Sequence, residues 1–375
     1  MTTATKERKK RAGGTTLSAP ALKAALAAVA AAVPGKSVRP ILQNVLLSGG
    51  VLTGSDGEVR IDVELDAPAG INFLLPKDRF SQILGSFSGD EITITPDESS
   101  CVIKAGRGEW TLPTEDVAEY PAWNVGDTKL VTRMPADQFV RAVRGVVFAT
   151  DTDSSRYALG AVMVEVQGDT VTFVATDGRR LASVQCDRSQ NENSDPIAPL
   201  VPSRVMAIMA RIADHAGDEV VELQATAREI VAIIGSATVT ASLVEGRFPK
   251  WREVLPERDA KPTTVERASL FAATRAAAIC SSEESKGVTF AFSNDGIWLQ
   301  GKSSEKGESS VTCEIVDAGD KASVKLDPSF VVEWLNGIAG DADPNVEVEA
   351  VDAQSAVILR CGDNTGVIMP LAVDA

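Results

Sequence analysis

The chain has 375 residues, 44% hydrophobic and 24% charged, with a mean hydropathy of +0.02. That is material for two or three soluble domains, and no run reaches the ~18–20 consecutive apolar residues of a membrane span. Lys and Arg number 37 against 52 Asp and Glu, a net charge of −15, which excludes a uniformly basic, nucleic-acid-coating surface but allows a basic face on an acidic body.

Residues 1–14 contain Lys6, Arg8, Lys9, Lys10 and Arg11 without apolar periodicity. They read as a disordered basic tail, either a solvated extension or a contact to nucleic acid. They lack the apolar region of a secretory signal, so a cytoplasmic location is expected. After the tail one pattern occurs three times. Each copy opens with an amphipathic helix, marked by Leu22, Leu26, Val29 and Val33, by Phe139, Val143, Val146 and Val147, and by Leu270, Phe271, Thr274, Ala277 and Ala278. The spacing i, i+3/i+4, i+7 buries one face. Strand pairs with a Gly-containing turn follow: VLLSGGVLTGSD (45–56), VMVEVQGDTVTFVATD (162–177) and VTFAFSNDGIWLQG (288–301). These read as hairpins. A second helix begins near Pro76, Pro202 and Pro328, which are spaced 126 residues apart both times. Its apolar faces are Phe80, Ile83, Leu84 and Phe87; Val205, Ile208, Met209 and Ile212; and Val331, Trp334, Leu335 and Ile338. Further strands over 91–103, 220–243 and 346–359 close the copies. A period this long is a domain repeat rather than a solenoid unit. The expected class is α+β, two helices packed on antiparallel sheets, with domains over 15–132, 133–259 and 260–375 after the tail over 1–14.

Enzyme signatures fail one by one. Val33-Pro34-Gly35-Lys36-Ser37 looks like the end of a phosphate-binding loop, but position 30 is Ala where the first glycine belongs, and a helix precedes it where a strand is needed. The one histidine, His215, falls just past a helix among acidic neighbours. That suits a helix C-terminal residue better than a catalytic base. Cys101, Cys186, Cys280, Cys313 and Cys361 lie far apart with no CxxC pair, against a disulfide framework or a zinc site. No catalytic residue, metal or cofactor is expected.

Three stretches carry more identity: Ala175-Thr176-Asp177-Gly178-Arg179-Arg180-Leu181-Ala182, then GRFPKWREVLP (246–256), then Gly366-Val367-Ile368-Met369-Pro370-Leu371. Alone, Asp-Gly is a tight turn. An apolar strand so near a chain end implies something packed on it. Together, and with Pro40-Ile41-Leu42-Gln43-Asn44-Val45-Leu46-Leu47, they resemble the bacterial DNA sliding clamp family, the beta subunits of DNA polymerase III, over roughly residues 16–372.

The resemblance implies three tandem clamp domains per chain and a head-to-tail homodimer, a six-domain ring around duplex DNA. It also implies a non-catalytic processivity factor for the replicative polymerase. Its dimer contact falls on Ile279 and Cys280, with Trp110 opposite, Arg79 and Arg107 as basic rim positions, and Glu305 and Glu308 as their acidic counterparts. A second reading keeps Ile279 in a helix core. The family's DNA-facing lining falls on Lys23, Arg141, Arg144, Arg204, Arg211 and Arg275 on helices and on Lys36, Arg156 and Tyr157 in loops. Without the resemblance, such a stripe reads as a solvated face. The family's partner-peptide cleft, between the second and third domains, falls on Leu159, Thr176, Gly178, Arg179, Arg180, Leu181, Pro249, Val254, Val367, Met369, Pro370 and Leu371. Arg179 stands where histidine is common, Glu253 where arginine is common, and Ala372 where a basic residue is usual. The implied partners are double-stranded DNA of any sequence, a second copy, the polymerase catalytic subunit, the clamp loader and other proteins carrying the clamp-binding motif, with no membrane. The alternative is a repeat-domain protein-binding scaffold that does not encircle DNA.

Overall fold

Six α-helices form among the described residues: α1 (Ala19–Val29), α2 (Lys77–Gly85), α3 (Ala136–Arg144), α4 (Ser203–Ala213), α5 (Arg267–Ala278) and α6 (Pro328–Gly337). They are two per repeat, as the periodicity requires. The computed structural model describes residues 14–68, 70–151, 157–187, 197–256, 258–281, 287–338 and 343–372, so the tail over 1–13 and Arg156 lie outside the described residues. The chain divides into two compact units, Met1–Lys129 with Leu223–Ser242, and Leu130–Glu222 with Leu243–Ala375.

Local chemistry sets the helix ends. The Ser18 hydroxyl accepts from the Ala21 amide at 3.3 Å, and the Asp327 carboxylate accepts from the Ser329 amide at 2.9 Å, so α1 and α6 start on polar caps. Five apolar positions, Val33, Phe87, Val146, Val147 and Ile338, fall beyond the helices expected to carry them. The chain after α1 tightens into a 3₁₀ turn over Ala30–Ala32, leaving Val33 buried but past it. After α3, Gly145 lies against the neighbouring strand, where a Cβ would sit 2.5 Å from Val184 Cγ2. Val146 is buried beyond the helix and Val147 opens a short 3₁₀ turn.

In the first unit, Thr15–Ser18 pairs with Glu91–Pro96, then Ser100–Ala105 and Gly108–Pro113, making a four-stranded antiparallel sheet. A second sheet runs Phe73–Pro76, Asn44–Ser48, Val51–Ser55, Val59–Glu64, Ala237–Ser242, Glu229–Ile234. Gly49 and Gly50, at φ +61° and +84°, form the two-residue turn between paired Ser48 and Val51, a conformation open chiefly to glycine. At Gly54 a Cβ would meet the Val29 carbonyl oxygen at 2.7 Å, so glycine allows α1 to lie this close. The Glu229–Ser242 hairpin belongs to the second repeat in sequence, yet it extends the first unit's sheet, with Ala237 opposite Val63 and Val239 opposite Ile61. Pairing there covers Val59–Glu64, which would otherwise be an open edge.

In the second unit, strands of the second and third repeats share one sheet: Leu200–Pro202, Ala161–Gln167, Thr170–Thr176, Arg180–Asp187, Asn364–Ile368, Val357–Cys361, Asn345–Glu349, Thr263–Glu266. A further sheet runs Gly307–Cys313, Gly296–Ser303, Val288–Ser293, Ala322–Leu326. α3 packs on α4, and α5 on α6. Phe139 meets Phe173 edge-on at 5.9 Å, and in the first unit Phe73 meets Phe80 at 6.0 Å. Each ring buried this way contributes roughly 1.5–3 kcal/mol.

Candidate functional site

Some of the expected cleft residues meet inside the second unit. Arg180–Asp187 and Asn364–Ile368 pair antiparallel with Leu181 opposite Val367, so the two identity-bearing stretches become adjacent strands. Leu181 and Val367 join Ala161, Met163, Val174, Leu200, Phe248 and Trp251 in one buried cluster. Phe248 and Trp251 are the anchors of the GRFPKW stretch, which explains its aromatic content. Above this floor, Met369 is 42% and Val254 41% exposed. Pro249 is exposed, and Leu159, Pro370 and Leu371 are half-buried. Leu181 and Val367 thus belong to a solid apolar cluster, with Ala158, Val244, Leu255 and Ala356 packed on it.

The turn beside the groove is built by its own side chains. Gly178 has φ +89°, which favours glycine. The Thr176 hydroxyl donates to the Arg180 carbonyl at 2.6 Å and accepts from the Gly178 amide at 3.1 Å. Asp177 accepts from the amides of Arg179 and Arg180 at 2.8 and 3.0 Å. The Arg179 carbonyl accepts from the Met369 amide at 2.8 Å, tying the turn to the apolar C-terminal strand. Arg180 points inward. Its guanidinium pairs with Asp177 at 3.1 Å and with Glu333 of α6, donates to the Phe148 carbonyl at 2.6 Å, and lies 4.4 Å from the Phe330 ring centre. Only 11% of that side chain is exposed, so Arg180 joins the two repeats beneath the groove rather than offering its charge at the surface. Arg179 is exposed and lies 5.3 Å from the same Phe330 ring. On the rim, Glu253 pairs with Lys250 at 2.7 Å and Arg252 pairs with Glu165 while covering Trp251 at 4.2 Å.

The helix-borne cations are exposed at Arg141, Arg144, Arg204, Arg211 and Arg275 of the second unit. Arg141 meets Asp137 at 3.2 Å one turn back on α3. Arg144 meets Asp214, just past α4, at 2.9 Å. Arg275 lies 5.5 Å from the Phe271 ring. His215 Nδ1 sits 2.9 Å from the Arg211 carbonyl, the helix-terminal place expected of it. In the first unit Lys36 is exposed, while the Lys23 ammonium donates to the Phe87 carbonyl and is half-buried. Tyr157 begins a 3₁₀ turn, Tyr157–Gly160.

Of the expected dimer residues, Trp110 and Glu308 lie on edge strands, Arg79 on α2, and Ile279 and Cys280 just past α5. In the first unit Gly108–Pro113 ends its sheet, with Trp110 folded over Gly108 and Arg79 and Arg107 exposed. In the second unit Gly307–Cys313 ends its sheet beside α5, where the Ser309 hydroxyl donates to the Ala277 carbonyl at 2.8 Å. Ile279 follows α5 and is 73% exposed, which removes the reading that places it in a helix core. Cys280 is half-buried, Glu305 exposed, and Glu308 pairs with Lys302 at 2.7 Å.

The acidic partners of the arginines escaped sequence reasoning. Asp137 carried a legible signal, the i, i+4 spacing to Arg141, but Asp214 and Glu333 reach theirs only through folding. A buried ion cluster also lay hidden: Glu349 accepts from Arg360 at 2.8 Å and from Arg258. Burial alone would raise the Glu349 carboxyl, but hydrogen bonds from Arg360 and Arg258 hold it below the usual range. Burial pushes the Cys101 and Cys186 thiols up to about 12 and Cys313 to about 11, so at neutral pH these are protonated core side chains and not thiolate nucleophiles. Among the described residues no group of three His, Cys, Asp or Glu is arranged to hold a metal, and no helix is long and apolar enough to cross a membrane.

Comparison with known proteins follows the same geometry. The chain matches the DNA polymerase III beta subunit N-terminal domain over residues 16–124, its central domain over 133–250 and its C-terminal domain over 252–372. The beta sliding clamp of Pseudomonas aeruginosa is 29% identical over 368 residues, covering 95% of this chain and 99% of that protein. That of Escherichia coli K12 is 26% identical over 350 residues, covering 90% and 93%. Among solved structures, a Pseudomonas aeruginosa sliding clamp bound to griselimycin superposes with a TM-score of 0.89 at 28% identity, covering 96% of this chain and all of that one.

Proposed function

The chain belongs to the DNA polymerase III beta-subunit family, and on that premise we propose how its residues perform the work of a ring-shaped sliding clamp, the processivity factor that holds a polymerase on DNA. Its three clamp domains, divided near residues 132 and 259, close with those of a second copy. The contact sets the edge strand Gly307–Cys313 of one copy, with Ile279 and Cys280 beside it, against Gly108–Pro113 and Trp110 of the other. Glu305 and Glu308 then face Arg79 and Arg107. The observation that carries this closure is Ile279, exposed beside an unpaired sheet edge. An open edge with an apolar side chain next to it gains both hydrogen bonds and buried area from a partner.

Duplex DNA meets the cations Lys23 and Lys36 of the first unit and Arg141, Arg144, Arg204, Arg211 and Arg275 of the second, together with Tyr157 and, by the resemblance alone, Arg156. A protein making ~6–10 phosphate contacts grips DNA and loses affinity steeply with salt. A clamp must slide instead. Enclosure supplies retention, so a thin basic lining on a chain of net charge −15 is enough, and the outer acidity discourages adhesion elsewhere. Polymerases, the clamp loader and other motif-bearing proteins dock a short peptide over Leu181 and Val367, between Val254 and Met369. Apolar anchors desolvate there on a preformed floor, and the flexible Met369 side chain adapts to them. The protein works without catalysis, on cytoplasmic DNA.

The test uses nicked circular DNA and a clamp loader. The expected result is a dimer that stays on the circle and runs off after linearisation, and an Ile279→Glu variant that sediments as a monomer and is not retained. Equal retention on linear DNA, or a dimer of unchanged mass in the variant, overturns this closure.

A further inference from the structure

We propose that Asp137 and Asp214 restrain the grip of this protein on DNA, holding Arg141 and Arg144 so that phosphates win them only partly. The inference rests on the reading of those helices as DNA-facing. Both arginines sit in the last turn of α3, and each has a carboxylate in reach, Asp137 at 3.2 Å and Asp214 at 2.9 Å. The two pairs line one open cleft of about 650 Å³ together with Asp218. Arg141 also lines a smaller cleft of about 230 Å³ with Asp343 and Asp363. Two carboxylates therefore pair with the two guanidinium groups, and three more line the clefts that these arginines share.

The pairs are exposed, with the Arg144 side chain 60% accessible. Ion pairs of this kind are weak, so a phosphate can displace the aspartate at small cost. Each displaced aspartate, however, stays beside the arginine and repels the incoming phosphate. The pairs act as an internal counterion: they lower the number of phosphates the helix face neutralises at once and flatten the dependence of binding on salt. Weak and exchangeable contacts suit a protein that must move along the duplex.

The test measures equilibrium binding of a labelled linear duplex by fluorescence anisotropy between about 50 and 200 mM salt. Asp137→Asn with Asp214→Asn is expected to tighten binding about two- to fivefold per site and to steepen the log–log salt slope by up to about two. Asp137→Asn alone, away from the α3–α4 junction, keeps the test available if Asp214→Asn disturbs folding, and thermal melting checks both. Unchanged affinity and slope in the aspartate variants, while Arg141→Gln with Arg144→Gln weakens binding, overturns the restraint but leaves the DNA-facing reading standing. If the arginine variant also binds as the parent does, the DNA-facing reading falls with it.

Discussion

Arg180 and Arg144 both meet a carboxylate of another element, yet one side chain is 11% exposed and the other 60%. Around Arg180, Asp177, Glu333, the Phe148 carbonyl and the Phe330 ring leave the guanidinium one arrangement. Around Arg144, water and salt compete with Asp214 for every contact. A buried charge loses its hydration and must be satisfied completely, so its network fixes geometry. An exposed pair retains most of its hydration, contributes little to stability, and can exchange partners. The Arg180 site therefore carries the rigid kind of ion pair and the exposed helix face the exchangeable kind, which fits the peptide docking and DNA passage proposed for them.

The sharpest way to break this contrast is Arg180→Ala. It leaves Asp177 buried without its cation, with an expected loss of about 3–5 kcal/mol in denaturant unfolding; a loss no larger than that of a surface substitution would show Arg180 to be dispensable. Next comes Met369→Lys, which puts a charge at the mouth of the groove. Binding of a peptide with Leu and Phe anchors, read by anisotropy, should weaken tenfold or more, or about 1.4 kcal/mol, while dimer mass and melting stay unchanged. Equal binding would move the docking surface elsewhere.

A subtler effect separates buried from exposed ion pairs by pH. The Glu349 carboxyl is held below its ordinary value in the folded chain, so the folded state binds a proton there less readily than the unfolded one. Its stabilisation is fully present above the unfolded value, about 4.3, and is lost as pH falls through the lower folded value. Unfolding measured from neutral pH downward should show the parent losing stability more steeply in that window than Glu349→Gln; parallel curves would contradict the cause assigned to the shift. The smallest effect is expected at the exposed pair. Arg144→Ala should change stability by no more than about 0.5 kcal/mol, and a larger loss would mean that the link between α3 and Asp214 is structural.

Much of this was written locally. Helix periodicity, the Gly49-Gly50 turn and the Asp177-Gly178 turn depend on neighbours a few residues apart, and a residue's own backbone preference and the 3.6- or 2-residue alternation are enough to reveal them. Family resemblance then singled out Leu181 and Val367, which sit in stretches of unusual composition and which folding sets side by side. It counted Arg180 among the cleft positions, and folding turns that side chain inward onto Glu333, 153 residues away.

Sequence alone determined how many helices and hairpins each repeat contains and which faces are apolar, since those follow from short-range sterics and water's exclusion of hydrocarbon. Only the tertiary structure decided which repeat each hairpin joins and which carboxylate each arginine finds. The Glu229–Ser242 hairpin crosses to the first unit's sheet, and Asp214, Glu333 and Glu349 meet cations from distant elements. Strand edges and charges satisfy one another through space, and a partner's distance along the chain leaves no periodic mark in the sequence.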